Sequence, residues 1–148
     1  MSEIAVTGFS PLDQRAGGFV VTAVRNDSGN LELINWRTKS DGGLQRVATA
    51  SAGAIDEVAI ATFDAPSDAN LGVFVTAVRN GSGNLELISW RLHDDGSIHR
   101  LASAVAGAAK HIAIGAVSSQ IMATSCVDGS GHENVISWRI QQSPLLTG

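Results

Sequence analysis

Two nearly identical turns hold the residues of this chain that are best suited to hydrogen-bond a ligand. The sequence VRNDSGN occupies positions 24–30 and VRNGSGN occupies positions 78–84. Each turn contains one guanidinium and two side-chain amides. These groups lie on equivalent loops and could bind the hydroxyl groups of a polyol. Asn and Gly are also the residues that a tight turn requires, so a purely structural role stays open. With the altered third copy of the turn, the predicted ligand-binding residues are Arg25, Asn26, Asn30, Arg79, Asn80, Asn84, Asp128 and His132.

The third copy, CVDGSGHEN at 126–134, raises the question of a metal site. It gathers Cys126, Asp128, His132 and Glu133 within eight residues. Metal sites in proteins need three or four convergent ligands, and neither a CxxC pair nor an HxxxH spacing is present. We therefore predict no metal here, but we expect this turn to differ from the other two if the turns bind a ligand.

The sequence contains no recognisable catalytic motif. The GSG segments at 81–83 and 129–131 do not fit the G-x-S-x-G nucleophile elbow. No G-x-x-x-x-G-K-[ST] or G-x-G-x-x-G segment follows a strand and opens a helix. The four histidines occupy unrelated positions in the repeat described below; they are His93, His99, His111 and His132. We expect a non-enzymatic protein with no cofactor, the alternative being an enzyme whose site lies in the variable loops.

Three tryptophans could stack on sugar rings, since Trp offers a large apolar face and a polar N–H. Their place within apolar strands favours packing instead. An arginine follows each tryptophan and should point to the opposite face, where it would need a carboxylate or carbonyl partner if buried. The pairs are Trp36 with Arg37, Trp90 with Arg91, and Trp138 with Arg139.

These residues belong to a repeat that sets the architecture of the chain. The segment at 73–92 repeats 19–38 almost identically and returns in weaker form at 121–140. The repeat predicts one domain of three units, at 3–56, 57–110 and 111–148, the last of them incomplete. The third unit is shorter at its start and lacks a counterpart of the stretch DGSIHRL.

Each unit is predicted to contain four strands, because short segments rich in Val, Ile, Thr and Trp alternate with Gly, Asn and Asp turns. In the middle unit we place strands at 57–63, 73–79, 85–92 and 98–103. Tight turns are expected at 80–84 and 94–97, and a loop around Gly107 should connect one unit to the next. The segments at 10–17 and 64–72 match poorly between units and are predicted to be surface loops.

The strand at 85–92, LELISWRL, carries apolar residues on both faces. Leu85 and Leu87 lie on one face, while Ile88 and Trp90 lie on the other. A strand with one wet face would alternate more cleanly, so this strand should be sandwiched between two sheets. No segment has a convincing helical period.

Four-stranded units of about 50 residues with a Trp late in the third strand resemble β-propeller blades. Among propellers, the near-identical units are similar to those of lectins of the tectonin or tachylectin kind, although no motif of that family is matched residue by residue. The resemblance implies an all-β fold of propeller blades and a multivalent module that binds carbohydrate. The alternatives are a β-trefoil fold, and a scaffold for protein interaction or assembly.

The composition of the chain limits the classes of partner that it is expected to bind. The chain of 148 residues is 44% hydrophobic and has a formal net charge of −4, so it lacks the excess positive charge that binds nucleic acid or acidic membranes. Cys126 is the single cysteine and cannot form an internal disulfide, and the N-terminal segment lacks an apolar signal core. We therefore expect a cytoplasmic protein with no nucleic-acid or membrane partner.

The number of units predicts self-association. A closed propeller usually has four to eight blades, and an open arc of three would leave apolar faces bare. Two chains related by a two-fold axis would give six blades, so the predicted partner is a second copy in a homodimer, with glycans as possible ligands. We further expect the terminal strand of one chain, near QQSPLLTG, to complete the last unit of the other.

Overall fold

The computed structural model describes residues 3–9, 18–63, 70–93, 95–118, 121–140 and 146–147. These residues form an all-β protein, as the sequence predicts, and no helix occurs among them. No part of the described chain is a helix long and apolar enough to cross a membrane. The strands are β1 (Ile4–Phe9), β2 (Phe19–Arg25), β3 (Asn30–Thr38), β4 (Leu44–Phe63), β5 (Asn70–Asn80), β6 (Asn84–His93), β7 (Ile98–Ala116), β8 (Ile121–Asp128), β9 (Glu133–Ile140) and β10 (Leu146–Thr147).

The strands form one curled antiparallel sheet in which each strand pairs with its neighbours in sequence, from β1 to β10. Tight turns make this order possible, because a short reversal needs residues that adopt positive φ. Gly29, Gly83 and Gly131 occupy the same place in the three equivalent turns, with φ of 82°, 80° and 83°. The turns expected at 80–84 and, as far as it is described, at 94–97 are confirmed.

The loop predicted around Gly107 is wrong, because β7 runs through this residue without a break. Ala108 pairs with β6, and Ala109 already pairs with β8. The same exchange occurs in β4, where Ala54 pairs with β3 and Ile55 pairs with β5. The segments predicted as separate strands at 57–63 and 98–103 are therefore parts of two long strands. Small alanines and glycines let a strand change partner and direction, and they do not require a loop.

Each exchange divides the curled sheet into four-stranded segments. The first segment consists of β1, β2, β3 and the start of β4, and the middle segment runs from the end of β4 to the start of β7. The third segment contains the end of β7 with β8, β9 and β10. Bulges accompany both exchanges, and β7 adopts its only positive φ among described non-glycine residues at His111.

The middle segment lies between two hydrophobic cores, so the prediction of a strand buried on both faces is confirmed. One face of the middle segment packs on the first segment and the other packs on the third. The first core includes Leu31 and Leu33 against Phe74, Ile88, Trp90 and Leu92. The second includes Leu85, Leu87 and Val75 against Met122, Cys126 and Trp138.

A tryptophan–threonine pair recurs at the same place in all three segments. The indole N–H of Trp90 donates to the hydroxyl of Thr76 on the neighbouring strand, with the two atoms 2.9 Å apart. Trp36 donates likewise to Thr22, and Trp138 to Thr124. Each buried indole thus has its polar atom satisfied, which lets the ring fill the core at little cost in desolvation.

Two other expectations concern the edges of the chain. The predicted loop at 10–17 and most of the loop at 64–72 lie outside the described residues, although 70–72 belong to β5. The terminal residues Leu146 and Thr147 pair with Ile140 and Arg139 of their own chain. In this structure the last strand extends its own sheet, and the exchange of terminal strands between two chains stays a prediction.

Candidate functional site

The side-chain oxygens of the predicted turn residues are engaged within the turns themselves. The Oδ1 atom of Asn80 accepts hydrogen bonds from the backbone N–H groups of Ser82 and Asn84 at 3.0 and 3.1 Å. Asn26 accepts equivalent bonds from Ser28 and Asn30 at 3.0 Å each. Such an arrangement, in which a side chain mimics the backbone of a turn, explains why Asn recurs at this place.

Asp128 performs the same role in the third turn. Its Oδ1 accepts from the N–H groups of Ser130 and His132 at 2.9 and 3.0 Å. These bonds, from His132 first and then Ser130, lower the pKa of the Asp128 carboxyl from its ordinary value of 3.8. The carboxylate is therefore ionised at neutral pH and puts a negative charge at the position that a neutral amide occupies in the Asn26 and Asn80 turns.

The two predicted arginines lie beside the points where the long strands exchange partners. The Nε of Arg25 donates to the carbonyl of Ile55 at 2.7 Å, which ties the first turn to β4. Arg79 lies 3.9 Å from the carboxylate of Asp56, and its Nε is buried without a hydrogen-bond partner. Arg25 is therefore held across the border between the first and middle segments, whereas Arg79 lies beside a carboxylate of its own segment.

A groove opens between the first and middle segments, next to the turn that joins β5 to β6. Its volume is about 260 Å³. One wall is the part of β4 where the strand changes partner, Ala52–Ile55, and the other is the turn residues Asn80, Gly81 and Ser82. Val78, Glu86 and Ile88 complete the lining. The groove thus joins an apolar floor to a polar rim, a combination typical of small-ligand sites.

Small residues keep this groove open while the two segments approach each other closely. A Cβ at Gly81 would lie 3.3 Å from the Cβ of Ala54, so a side chain here would require Ala54 to shift by a few tenths of an ångström. A Cβ at Gly53, in contrast, would meet no atom within 4 Å. The space beside Gly53 is therefore available to a ligand or to a larger side chain.

Glu86 gives the groove its charge. One oxygen of its carboxylate accepts from the amide N of Asn80 at 3.1 Å, and the other lies 3.5 Å from the guanidinium of Arg100. Glu32 and Arg46 form a longer version of this ion pair, at 3.8 Å, in the first segment. In the groove, the carboxylate and the amide thus lie in fixed positions from which they could accept and donate hydrogen bonds to a hydroxylated ligand.

Residues at the corresponding positions of the third turn have a different character. Cys126 replaces Val78, Asp128 replaces Asn80 and Asn134 replaces Glu86. Burial raises the pKa of the Cys126 thiol, and the charge of Asp128 adds to that effect. This thiol is 5% exposed and protonated at neutral pH, so it behaves as a small apolar core residue.

Of the predicted ligand-binding residues, the structure places Asn80 in the groove and leaves Arg79 and Asn84 out of its lining. The others lie in the equivalent turns before and after it. The sequence reasoning missed Glu86 and the small residues of β4. Glu86 carried a usable signal, because it stands on the same face as Ile88 and Trp90, where an acidic residue has no role in packing.

The tryptophans lie in the sheet and do not line the groove. Trp90 and Trp138 are 1% and 4% exposed, consistent with the predicted packing role, whereas Trp36 is half-buried. The guanidinium of Arg37 lies over the ring of Phe19 at 5.2 Å from its centroid. Arg37 is half-buried, so the condition under which a carboxylate or carbonyl partner was expected is not met. Within the described residues, no three side chains converge in a way that could hold a metal ion.

Comparison with known proteins gives no relative from which a role could be transferred. No protein-family model matches the chain. No curated protein is significantly similar to it. A function for this chain is therefore inferred from the geometry of the groove and of the sheet faces.

Proposed function

We propose that this chain is a non-enzymatic binding module, that the groove between the first and middle segments takes a small hydroxylated ligand, and that this ligand is a carbohydrate. The observation that supports this best is the combination of an apolar floor, formed by Ala52, Ala54 and Ile88, with the amide of Asn80 and the carboxylate of Glu86 at the rim. Sugars present an apolar face of C–H groups and a fringe of hydroxyls, which complement such a groove. At about 260 Å³ the volume suits one small unit of a glycan.

The proposal extends to several sites of unequal affinity. The turns after β2 and β8 repeat the geometry of the turn after β5, and linked sites gain strength when a ligand presents several copies of the same group. The third site, with Asp128 and Asn134 in place of Asn80 and Glu86, would prefer a different hydroxyl pattern or a cationic sugar.

For the fold, we propose that the four-stranded segments are blades of a propeller-type ring that two chains close. Two features support blades over a β-trefoil. The strands pair strictly in sequence order, and the two cores lie on opposite faces of the middle segment. A trefoil would instead gather its three units around a single shared core.

The decisive experiment is a glycan array with the intact protein, followed by titration of the strongest ligand with variants of the groove. Gly53→Val adds a side chain where no atom lies within 4 Å, so it should fill the groove without disturbing the fold and weaken binding by about tenfold or more. Glu86→Gln keeps the shape but removes the charge and should also weaken binding. Ser103→Val, at an exposed position of β7 outside the groove, is the matched control and should bind as the unaltered protein does.

A second set of variants tests the turns themselves. Asn30→Ala combined with Asn84→Ala changes turn residues that do not line the groove. If the double variant loses the ligand while Gly53→Val retains it, the turns and not the groove form the site. If no glycan binds, or if Gly53→Val and Glu86→Gln bind undiminished, the proposed site is wrong.

A scaffold for assembly is the second candidate function, and it is favoured by the apolar faces at both ends of the molecule. The enzyme alternative depends on the loops at 10–17 and 64–72, most of which lie outside the described residues. A cytoplasmic location remains a prediction from the composition.

A further inference from the structure

The outer face of the first segment resembles the buried faces of the other segments in residue type but is exposed along β1. It carries Val20, Ile34 and Trp36, with Ile4 and Val6 beside them on β1. Ile4 is 64% exposed, whereas Val58, the residue one repeat later, is 9% exposed within the first core. Apolar residues of an inner-face type are thus exposed along β1, whereas Ile34 is buried and Val20 and Trp36 are half-buried.

The outer face of the third segment shows the complementary pattern. Val135 is 65% exposed, while its counterparts Leu33 and Leu87 are fully buried in the two cores. Ile121 and Ala123 lie on the same face of the neighbouring strand and are half-buried. Exposed apolar faces of this kind are uncommon on monomeric proteins unless they bind something.

The two faces correspond to the two halves of a contact that already occurs twice within the chain. In the first core, the Leu33 face of the first segment packs on the Trp90 face of the middle segment. In the second core, the Leu87 face packs on the Trp138 face. The next step in this series would place the Val135 face on the Trp36 face. Val135 and Ile121 have apolar counterparts in the earlier copies, whereas Glu133 stands where Leu31 and Leu85 stand.

The contact between the first and middle segments also includes a tightly packed turn, and the equivalent turn of the first segment can be compared with it. Gly96 lies in the β6–β7 turn, and its carbonyl accepts from the amide of Asn35 in the first segment at 2.8 Å. A Cβ at Gly96 would approach Val47 of that segment to 2.4 Å, which shows how tightly the turn is seated. Gly42 is the equivalent glycine of the first segment, and a Cβ there would meet nothing within 4 Å. The β3–β4 turn therefore has space around its glycine for a contact of the same kind.

We propose that the Val135 face of one chain docks on the Trp36 face of a second copy of the same chain, repeating the internal contact head to tail. The occupant is a second copy because the two faces lie at opposite ends of the stack, separated by the middle segment, and cannot meet within one chain. Two such contacts around a two-fold axis produce a closed pair. The inference rests on the blade arrangement proposed above and is independent of ligand binding in the groove.

The test combines light scattering with two variants of the intact chain. The unaltered protein should have a mass of about twice 15.3 kDa at micromolar concentration. Val135→Asp and Ile4→Asp each place a carboxylate in the contact and should each reduce the mass to that of a single chain. Val105→Asp is the matched control, because Val105 is 57% exposed but belongs to the middle segment, and it should remain paired.

Mixing the two variants separates a head-to-tail contact from one between identical faces. Val135→Asp keeps an intact Trp36 face and Ile4→Asp keeps an intact Val135 face, so an equimolar mixture retains one good contact and should partly recover the paired mass. Contacts between identical faces would leave one variant paired on its own, which would overturn the proposal. A single-chain mass for the unaltered protein would also overturn it, whatever the result of the glycan array.

Discussion

At the scale of single residues, the repeat conceals a difference between positions that look identical in sequence. Trp90 and Trp36 each donate an indole hydrogen bond to a threonine on the adjacent strand. Trp90 is 1% exposed and packs in the first core, whereas Trp36 is half-buried and belongs to neither core. The environment of a repeated side chain therefore depends on which neighbour its segment has, and this is what decides its contribution to stability.

Replacing the two tryptophans separately measures that difference. Trp90→Ala should lower the free energy of unfolding by about 3 to 5 kcal/mol, because it leaves a cavity in the core and removes the hydrogen bond that Thr76 accepts from the indole. Trp36→Ala should cost clearly less, since part of its ring is already in contact with water. Urea unfolding at low protein concentration gives both values. Equal losses would contradict the burial seen here, and a stable Trp90→Ala variant without ligand affinity would make Trp90 a binding residue.

At this scale the sequence predicted the packing role of the tryptophans and the turn role that was left open for Asn26 and Asn80. It could not distinguish a turn residue from a ligand-binding residue, because the same amide serves both purposes. Glu86 was missed because its significance comes from Asn80 and Arg100, which lie six and fourteen residues away in sequence but in direct contact in the fold.

At the scale of elements, the continuity of the long strands β4 and β7 is what the sequence did not predict. Glycine and alanine near 107 suggested a loop, since these residues often break strands. The backbone remains extended and hydrogen-bonded, first to one neighbour and then to the next. Glu57 secures the irregular part of β7, because its two carboxylate oxygens accept from the N–H groups of His111 and Ile112 at 3.1 Å each. Pairing over such distances leaves no local signal in the sequence.

The hairpin turns provide a matched pair of glycines for testing how segments are seated. Gly42→Ala and Gly96→Ala both force alanine into positive φ, at 87° and 92°, which costs about 1 to 2 kcal/mol. Gly96→Ala must in addition displace Val47, which should cost about 1 to 3 kcal/mol more. Thermal or urea denaturation of the two variants measures the difference. If both lose the same stability, the β6–β7 turn is not packed against the first segment as described.

At the scale of the whole molecule, the middle segment belongs to both cores and should make unfolding cooperative. Leu33 lies in the first core and Leu87 in the second, and both are fully buried. The sequence predicted this two-sided burial correctly from LELISWRL, because a central strand must be apolar on both faces. The sequence could not show which face of one segment packs on which face of the next, because this depends on how the long strands turn.

Leucine-to-alanine variants test the shared core. Leu33→Ala and Leu87→Ala should each lower the free energy of unfolding by about 2 to 5 kcal/mol and shift one common transition. Far-ultraviolet circular dichroism and tryptophan fluorescence should follow the same curve in both variants. Separate transitions, with only one of them moved by each substitution, would show that the end segments unfold independently of the middle one.

The exchange of partners within β4 and β7 also bears on how such a chain can be cut or rearranged. Exposed loops are the preferred sites of proteolytic cleavage and of tolerated insertions. Here both borders between repeats, at Ala54–Ile55 and Ala108–Ala109, lie inside paired strands. A single repeat excised at these points would lose half of a shared strand. A unit that keeps its long strand whole therefore does not have the same boundaries as the sequence repeat. Such a unit begins in the connection between β1 and β2 or in the connection between β4 and β5.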